Sequence, residues 1–169
     1  MTKGFDTDDA KWVLQRTDDW VRSADAKAGA VAAIIAGITA VTLTNDNLLE
    51  AAVLAFKDPS ANIAEFALII IAIASALGSS VSLLISLNPR TKNPRPSLIF
   101  FGDIAKEKDG ESLMKSVSDE EYRFDIDVAN QIIVNSKICS KKMKWNKRAG
   151  MLTAVFVLSL AAFSVLSAR

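Results

Sequence analysis

The sequence predicts an all-α integral membrane protein with three transmembrane helices and a small helical cytosolic module. The first reason is the run 66–87, which holds 22 consecutive residues without a charge or a proline. A helix of that length measures about 33 Å, close to a hydrocarbon slab of about 30 Å. The second reason is that two more uncharged runs, of 17 and 20 residues, occupy 28–44 and 149–168. Core helices of a soluble bundle would keep a polar stripe for solvent, and these runs have none beyond Ser, Thr and Gly.

Basic residues are distributed unevenly among the segments that separate the runs. Residues 1–27 carry five Lys and Arg, residues 45–65 carry one, and residues 88–148 carry thirteen. Loops rich in Lys and Arg stay in the cytoplasm. We therefore expect a multi-pass protein whose N-terminus and 88–148 region are cytosolic and whose C-terminus lies outside.

The predicted organisation follows from these segments. It comprises a cytosolic N-terminal helix (1–27), transmembrane helix 1 (28–44), an outward-facing link (45–65), transmembrane helix 2 (66–87), a cytosolic helical sensor region (88–148) and transmembrane helix 3 (149–168). Because six Asp precede the first run and no short basic start is present, we do not expect a cleavable signal peptide.

Several helix ends are also predicted. The N-terminal helix is expected to start near Asp8 and continue into the first span, and Leu48–Phe56 suggests a short interfacial helix. Ser118 and Glu121 have capping-box spacing, so a helix is expected from Asp119 to Leu166. We expect its cytosolic apolar face to contain Tyr122, Ile126, Ala129 and Ile133. The Pro-rich basic turn 88–96 is expected to separate this region from transmembrane helix 2.

Two stripes of small or polar residues lie within the predicted spans. In transmembrane helix 1 the small residues recur at helical spacing, which allows close approach of another helix; they are Gly29, Ala33, Gly37 and Ala40. In transmembrane helix 2 four serines share one side: Ser75, Ser79, Ser82 and Ser86. The first stripe favours a packing face, although an Ala-rich helix has small residues everywhere. The second is either a packing surface or the wall of a water path.

The composition argues against most catalytic sites. The chain has no histidine, which removes His-metal sites and Ser-His or Cys-His catalysis. Cys139 is the only cysteine, so no internal disulfide can form. The acidic pairs Asp18/Asp19 and Asp125/Asp127 are interpreted as solvated helix surface. With a net charge of +1 no nucleic-acid partner is indicated. We expect no catalytic residues, no metal and no enzyme activity; the remaining pattern is typical of a sensor coupled to a membrane event.

Three motifs carry a resemblance to a known family. Residues 20–29 read WVRSADAKAG and lead into the first span, and 98–105 read LIFFGDIA after the Pro-rich turn. Gln131, Ile132, Ser136 and a basic run then precede the last span. This order resembles the transmembrane effectors of Pycsar antiphage systems in bacteria. The resemblance covers about 12–168.

The resemblance implies a function and a location. A partner pyrimidine cyclase would make cyclic CMP or cyclic UMP, and the effector would sense it and disrupt the bacterial inner membrane, causing abortive infection. No resident cofactor is implied. The expected partners are the cyclic nucleotide, membrane lipids and further copies in a homo-oligomer. In the resemblance, the anionic phosphate suits Arg22, Lys27, Arg90 or Lys92, base edges suit Asp25, Gln131, Asn135 or Ser136, and Phe101 suits stacking. The alternative roles are structural: Asp25 and Lys27 would anchor the membrane boundary, and Gln131 would bridge cytosolic helices.

Two other classes of function remain open at this stage. A non-catalytic membrane anchor or scaffold would recruit a cytosolic partner, and it predicts neither nucleotide binding nor leak. A constitutive small channel would use the serine stripe, and it predicts leak without a ligand.

Overall fold

The computed structural model describes residues 7–88, 97–119 and 122–168, apart from the side chain of Phe101. Within those residues every regular element is an α-helix. The helices are α1 (Thr7–Leu43), α2 (Asp46–Lys57), α3 (Ile63–Leu87), α4 (Phe101–Ile104), α5 (Gly110–Val117) and α6 (Phe124–Ser167). The predicted all-α class is confirmed.

Three of these helices, α1, α3 and α6, are long and apolar enough to cross a membrane. The helix α1 is continuous over 37 residues and α6 over 44, because neither sequence contains a proline and their glycines are isolated. Both therefore extend well beyond a single bilayer crossing of about 20 residues. The predicted three-span architecture is confirmed, whereas the exact membrane boundaries and the orientation stay predictions.

The chain divides into two compact units. Unit 1 comprises Met1–Ser23 and Pro89–Lys141, and unit 2 comprises Ala24–Asn88 and Lys142–Arg169. Both α1 and α6 contribute residues to each unit.

Unit 2 is a bundle of the apolar helix segments. Its main core contains Ala28, Ile35, Ala72, Leu83, Ala149 and Phe156. Ala28 and Ala149 are almost fully buried, so small side chains stand in the core at the beginning of the apolar segments. Small residues let helix backbones approach closely, which is the main source of packing energy in a lipid environment.

The helix α2 folds against the bundle as predicted for Leu48–Phe56, with one or two further residues at each end. Asn45 is its N-cap and accepts a hydrogen bond from the Leu48 N–H, as Asn commonly does at this position. Ala55 is buried in a second core cluster with Ile69 and Phe163. The contact is extended by an edge-to-face pair between Phe56 and Phe66, whose ring centroids lie 5.4 Å apart.

Unit 1 has a smaller core. Ala10, Thr17, Val128 and Val134 are its buried residues of small or β-branched type. The short helix α5 has a capping box made by Asp109 and Ser112. Ser97 accepts backbone hydrogen bonds from Ile99 and Phe100, which holds the turn before α4 and agrees with its predicted capping role.

Two predictions for the last helix are wrong. It begins at Phe124 rather than Asp119, because Ser118 ends α5 by donating its N–H to the Met114 carbonyl; Glu121 of the predicted capping box lies outside the described residues. Its buried face is also different. Ile126 and Ile133 are 43% and 51% exposed, and the helix instead buries Val128 and Val134 with the polar residues described below.

Candidate functional site

A polar cluster in unit 1 joins two of the residues predicted as ligand contacts. The Gln131 Nε2 donates to Asn135 Oδ1 at 3.2 Å, and the Asn135 Nδ2 donates to Asp18 Oδ1 at 2.6 Å. Gln131 is 93% buried, by its 7% relative exposure. Its Oε1 is buried without a hydrogen-bond partner within the described chain. A buried acceptor without a donor is costly, so this oxygen marks a position where a donor would be favourable.

A second buried acid in unit 1 organises the segment before α4. Asp127 Oδ2 accepts hydrogen bonds from the Leu98 N–H and from the Tyr122 hydroxyl, each at 2.9 Å. Burial and the bond to this carboxylate raise the pKa of Tyr122 above its usual range, because both disfavour the phenolate. Asp127 is therefore a structural acceptor. Its interpretation as solvated helix surface is wrong, whereas its neighbour Asp125 is exposed and pairs with Arg123.

The two exposed partners of that pair shift one another. The hydrogen bond from Arg123 lowers the pKa of the Asp125 carboxyl, and the same contact raises the pKa of Arg123. Both groups are fully exposed, so water screens the pair and its stabilising effect is small.

The start of unit 2 contains a buried ion pair. The Lys142 Nζ lies 2.5 Å from Asp25 Oδ1, and the Lys142 side chain is only 8% exposed. One turn further along α6, the Asn146 Nδ2 donates to the Ala24 carbonyl at 2.7 Å. Asp25 therefore already has a cationic partner, which favours its alternative role as a structural residue.

The serine stripe of α3 is buried inside unit 2. Ser79 is fully buried and donates to the Ala149 carbonyl at 2.9 Å, while the Thr153 hydroxyl lies 2.9 Å from the same oxygen. Ser86 reaches the Lys142 carbonyl at 3.4 Å. Ser75 and Ser82 bond to carbonyls of their own helix, as hydroxyls in apolar helices commonly do. Within one chain this geometry favours the packing interpretation of the stripe.

The small-residue stripe of α1 has the opposite environment. Gly29, Ala33, Gly37 and Ala40 are all exposed on unit 2. A Cβ atom built on Gly29 or Gly37 would meet no described atom within 4 Å. The stripe therefore does not pack within this chain, and it is open to lipid or to a second copy.

The remaining predicted ligand contacts are spread over the chain. Arg22, Lys27 and Ser136 are exposed. Arg90, Lys92 and the side chain of Phe101 lie outside the described residues. Of the predicted ligand contacts, the described part of the chain thus brings together Gln131 and Asn135, by a direct hydrogen bond.

Two residues of these polar contacts were missed from the sequence. Asp18 was interpreted as solvated surface, and Lys142 as one member of a basic run. A signal for Asp18 existed: Ala10, Thr17 and Ala24 recur every seven residues on α1 and are buried, and Asp18 lies beside that row. No comparable signal distinguishes Lys142 from its basic neighbours.

No metal site is suggested by the described residues, which contain no group of three or more His, Cys, Asp or Glu side chains placed to hold an ion.

Comparison with known proteins finds a family match over nearly the whole chain. Residues 9–168 match the family model PycTM, described as the Pycsar effector protein domain. The curated Pycsar effector protein PtPycTM of Propioniciclava tarda is 27% identical over 166 residues, covering 92% of this chain and 79% of that protein. No solved structure is significantly similar. The matched range includes the polar cluster of unit 1, the Asp25–Lys142 pair and all three long apolar helices.

Proposed function

Because this chain belongs to the PycTM family of Pycsar effector proteins, we propose that it senses a cyclic pyrimidine mononucleotide in the cytosol and disrupts the bacterial inner membrane. The membership confirms the resemblance found in the sequence motifs. It also implies a cyclic nucleotide signal made by a cyclase, and antiviral defence as the biological setting. The family match over both units is the observation that carries this proposal.

We place nucleotide sensing in unit 1, with its N-terminal segment and 97–141 in the cytosol. The buried Gln131 Oε1 lacks a donor, and both cytosine and uracil carry an N–H donor on their pairing edge. The preference for a pyrimidine comes from the family resemblance. No catalytic step is needed, because a sensor acts by binding.

Binding would be coupled to the membrane by the two helices shared between the units. Since α1 and α6 are unbroken, a shift of their cytosolic segments would reach their apolar segments. Copies would then rearrange through the exposed small-residue face of α1 and open a leak. The nucleotide must bind the leaky state more tightly than the resting state, because equal affinity shifts no population.

The first test is thermal unfolding of the detergent-solubilised protein with cyclic CMP, cyclic UMP, cyclic AMP and cyclic GMP. A ligand at 100 times its Kd stabilises the folded state by about 2.7 kcal/mol. We expect a higher Tm with a cyclic pyrimidine and none with the purines. Asn135→Ala should remove most of the nucleotide-dependent shift, measured against its own ligand-free Tm, whereas the exposed Ser140→Ala on the same helix should retain it.

The second part of the test uses dye-loaded proteoliposomes. Leak that depends on the bound nucleotide supports the effector mechanism. Leak of equal size without any nucleotide would instead favour the constitutive channel. A protein that shows neither a thermal shift nor leak would favour the scaffold, and the proposal would be wrong.

A further inference from the structure

Unit 2 contains an apolar cavity of about 350 Å³. All four helices of the unit line it, with Leu43 from α1, Ala52 and Phe56 from α2, Ala76 from α3 and Phe163 from α6 among the contributors. On α3 its walls run from Ile69 to Leu77, about 9–21 Å from the beginning of the helix at 1.5 Å per residue. The cavity therefore lies at the depth of the hydrocarbon, where an empty space forfeits van der Waals contacts.

A second, more polar cavity of about 470 Å³ lies at the end of the bundle. Its walls come from the beginning of α2 and the end of α6, and they include Asn45, Asn47, Glu50 and Ser164. Leu48 lines both cavities. One side chain of α2 thus stands between a polar compartment at the membrane boundary and an apolar compartment inside the membrane.

We infer that the two cavities together bind one phospholipid with an ethanolamine head group. The acyl chain occupies the apolar cavity and the head group occupies the polar one. An amphiphile is the class of ligand that meets both linings at once, and phospholipid is the amphiphile that surrounds the bundle at this depth. The inference requires membrane insertion and is independent of nucleotide sensing.

Charge selects the head group. Glu50 is the ionisable residue among those lining the polar cavity, and no Lys or Arg lines it. A carboxylate favours an ammonium group and disfavours an additional negative charge. Asn45 uses its Oδ1 to accept from the Leu48 N–H, which leaves its Nδ2 to donate to phosphate or ester oxygens. Phosphatidylethanolamine is therefore preferred to the anionic phosphatidylglycerol.

Native mass spectrometry of the full chain tests this inference after incorporation into bilayers with equal amounts of the two lipids. We expect one phosphatidylethanolamine per chain to survive mild release from detergent. Ala76→Phe fills the apolar cavity and should reduce the retained lipid at least fivefold. Ala74→Phe places the same ring on the exposed side of α3 and should retain it. Glu50→Gln should retain a lipid but lose the preference for phosphatidylethanolamine.

The outcomes separate the site from its alternatives. Equal retention by the two Phe variants would overturn the site, as would equal binding of both lipids by the unaltered chain. A lipid-free dimer that Ala76→Phe dissociates would show that a second copy fills the cavity. If Ala76→Phe fails to fold, Ala52→Leu fills the cavity from α2 and must give the same loss for the inference to stand.

Discussion

At the scale of single residues, the Asp25–Lys142 pair is the clearest case in which exposure decides the energetics. The Lys142 side chain is 8% exposed and the Asp25 side chain 43%. An ammonium left buried without its partner loses both hydration and the ion pair, whereas a carboxylate that is nearly half exposed keeps much of its water. The two halves of one ion pair should therefore differ in the cost of their removal.

We predict that Asp25→Ala lowers the free energy of unfolding by about 2–3 kcal/mol and Lys142→Met by less than about 1 kcal/mol. The double variant should behave like Lys142→Met alone, because no unpaired ammonium remains. Thermal unfolding in one detergent measures all three, with the exposed Lys144→Met as control. Equal losses for the two single variants would show that Lys142 reaches water when its partner is absent.

Residue-scale reasoning from the sequence found Gln131 and Asn135 but not Asp18. The two amides stand four residues apart on α6, a spacing that places them on one face and can be seen in the sequence. Asp18 is 117 positions away from Asn135, and only the packing of α1 beside α6 in unit 1 brings its carboxylate within hydrogen-bond distance.

At the scale of elements, the exposed small-residue face of α1 makes a sharp distinction between folding and assembly. A leucine at Gly37 meets no described atom near its Cβ position and has a higher helix propensity than glycine. The substitution should therefore leave the fold of one chain intact. If copies associate through this face, the added side chain separates the two backbones.

We predict that Gly37→Leu leaves the Tm unchanged or slightly higher and shifts the particle mass toward the monomer. Ala32→Leu, an exposed position away from the stripe, should keep the mass of the unaltered protein. Size-exclusion chromatography with light scattering gives the mass, and proteoliposome leak gives the consequence. Identical masses for both variants would mean that the stripe faces lipid only.

The error about the apolar face of α6 also belongs to this scale. The sequence pattern places Ile126 and Ile133 inside, because hydrophobicity is the main signal of an inward face. In unit 1 the inward face instead carries Asp127 and Gln131. These polar groups can be buried because neighbouring segments supply donors and acceptors, and that supply is not visible in the helix's own sequence.

At the scale of the whole molecule, α1 and α6 are the two elements common to both units. A signal that passes along a helix requires the helix to stay rigid where it leaves one unit and enters the next. In α6 that position is Lys141 to Lys142. Two glycines placed there weaken the helix by roughly 2 kcal/mol relative to two alanines.

We predict that Ser140→Gly/Lys141→Gly retains the nucleotide-dependent rise in Tm but loses most of the nucleotide-dependent leak. Ser140→Ala/Lys141→Ala removes the same two side chains without softening the helix and should retain both. Thermal unfolding and proteoliposome leak are measured on the same preparations. Full leak from the glycine variant would show that α6 does not carry the signal.

The sequence by itself determined the all-α class, the three long apolar helices and the family, because these follow from local composition, spacing and short motifs. Only the tertiary structure decided that the serines of α3 bond to α6, that Asp25 is neutralised by Lys142, and that Asp18 joins the two amides. The physical reason is the same in each case. A hydrogen bond or an ion pair between residues 56–122 positions apart depends on how helices pack, and the sequence of any one helix does not contain that information.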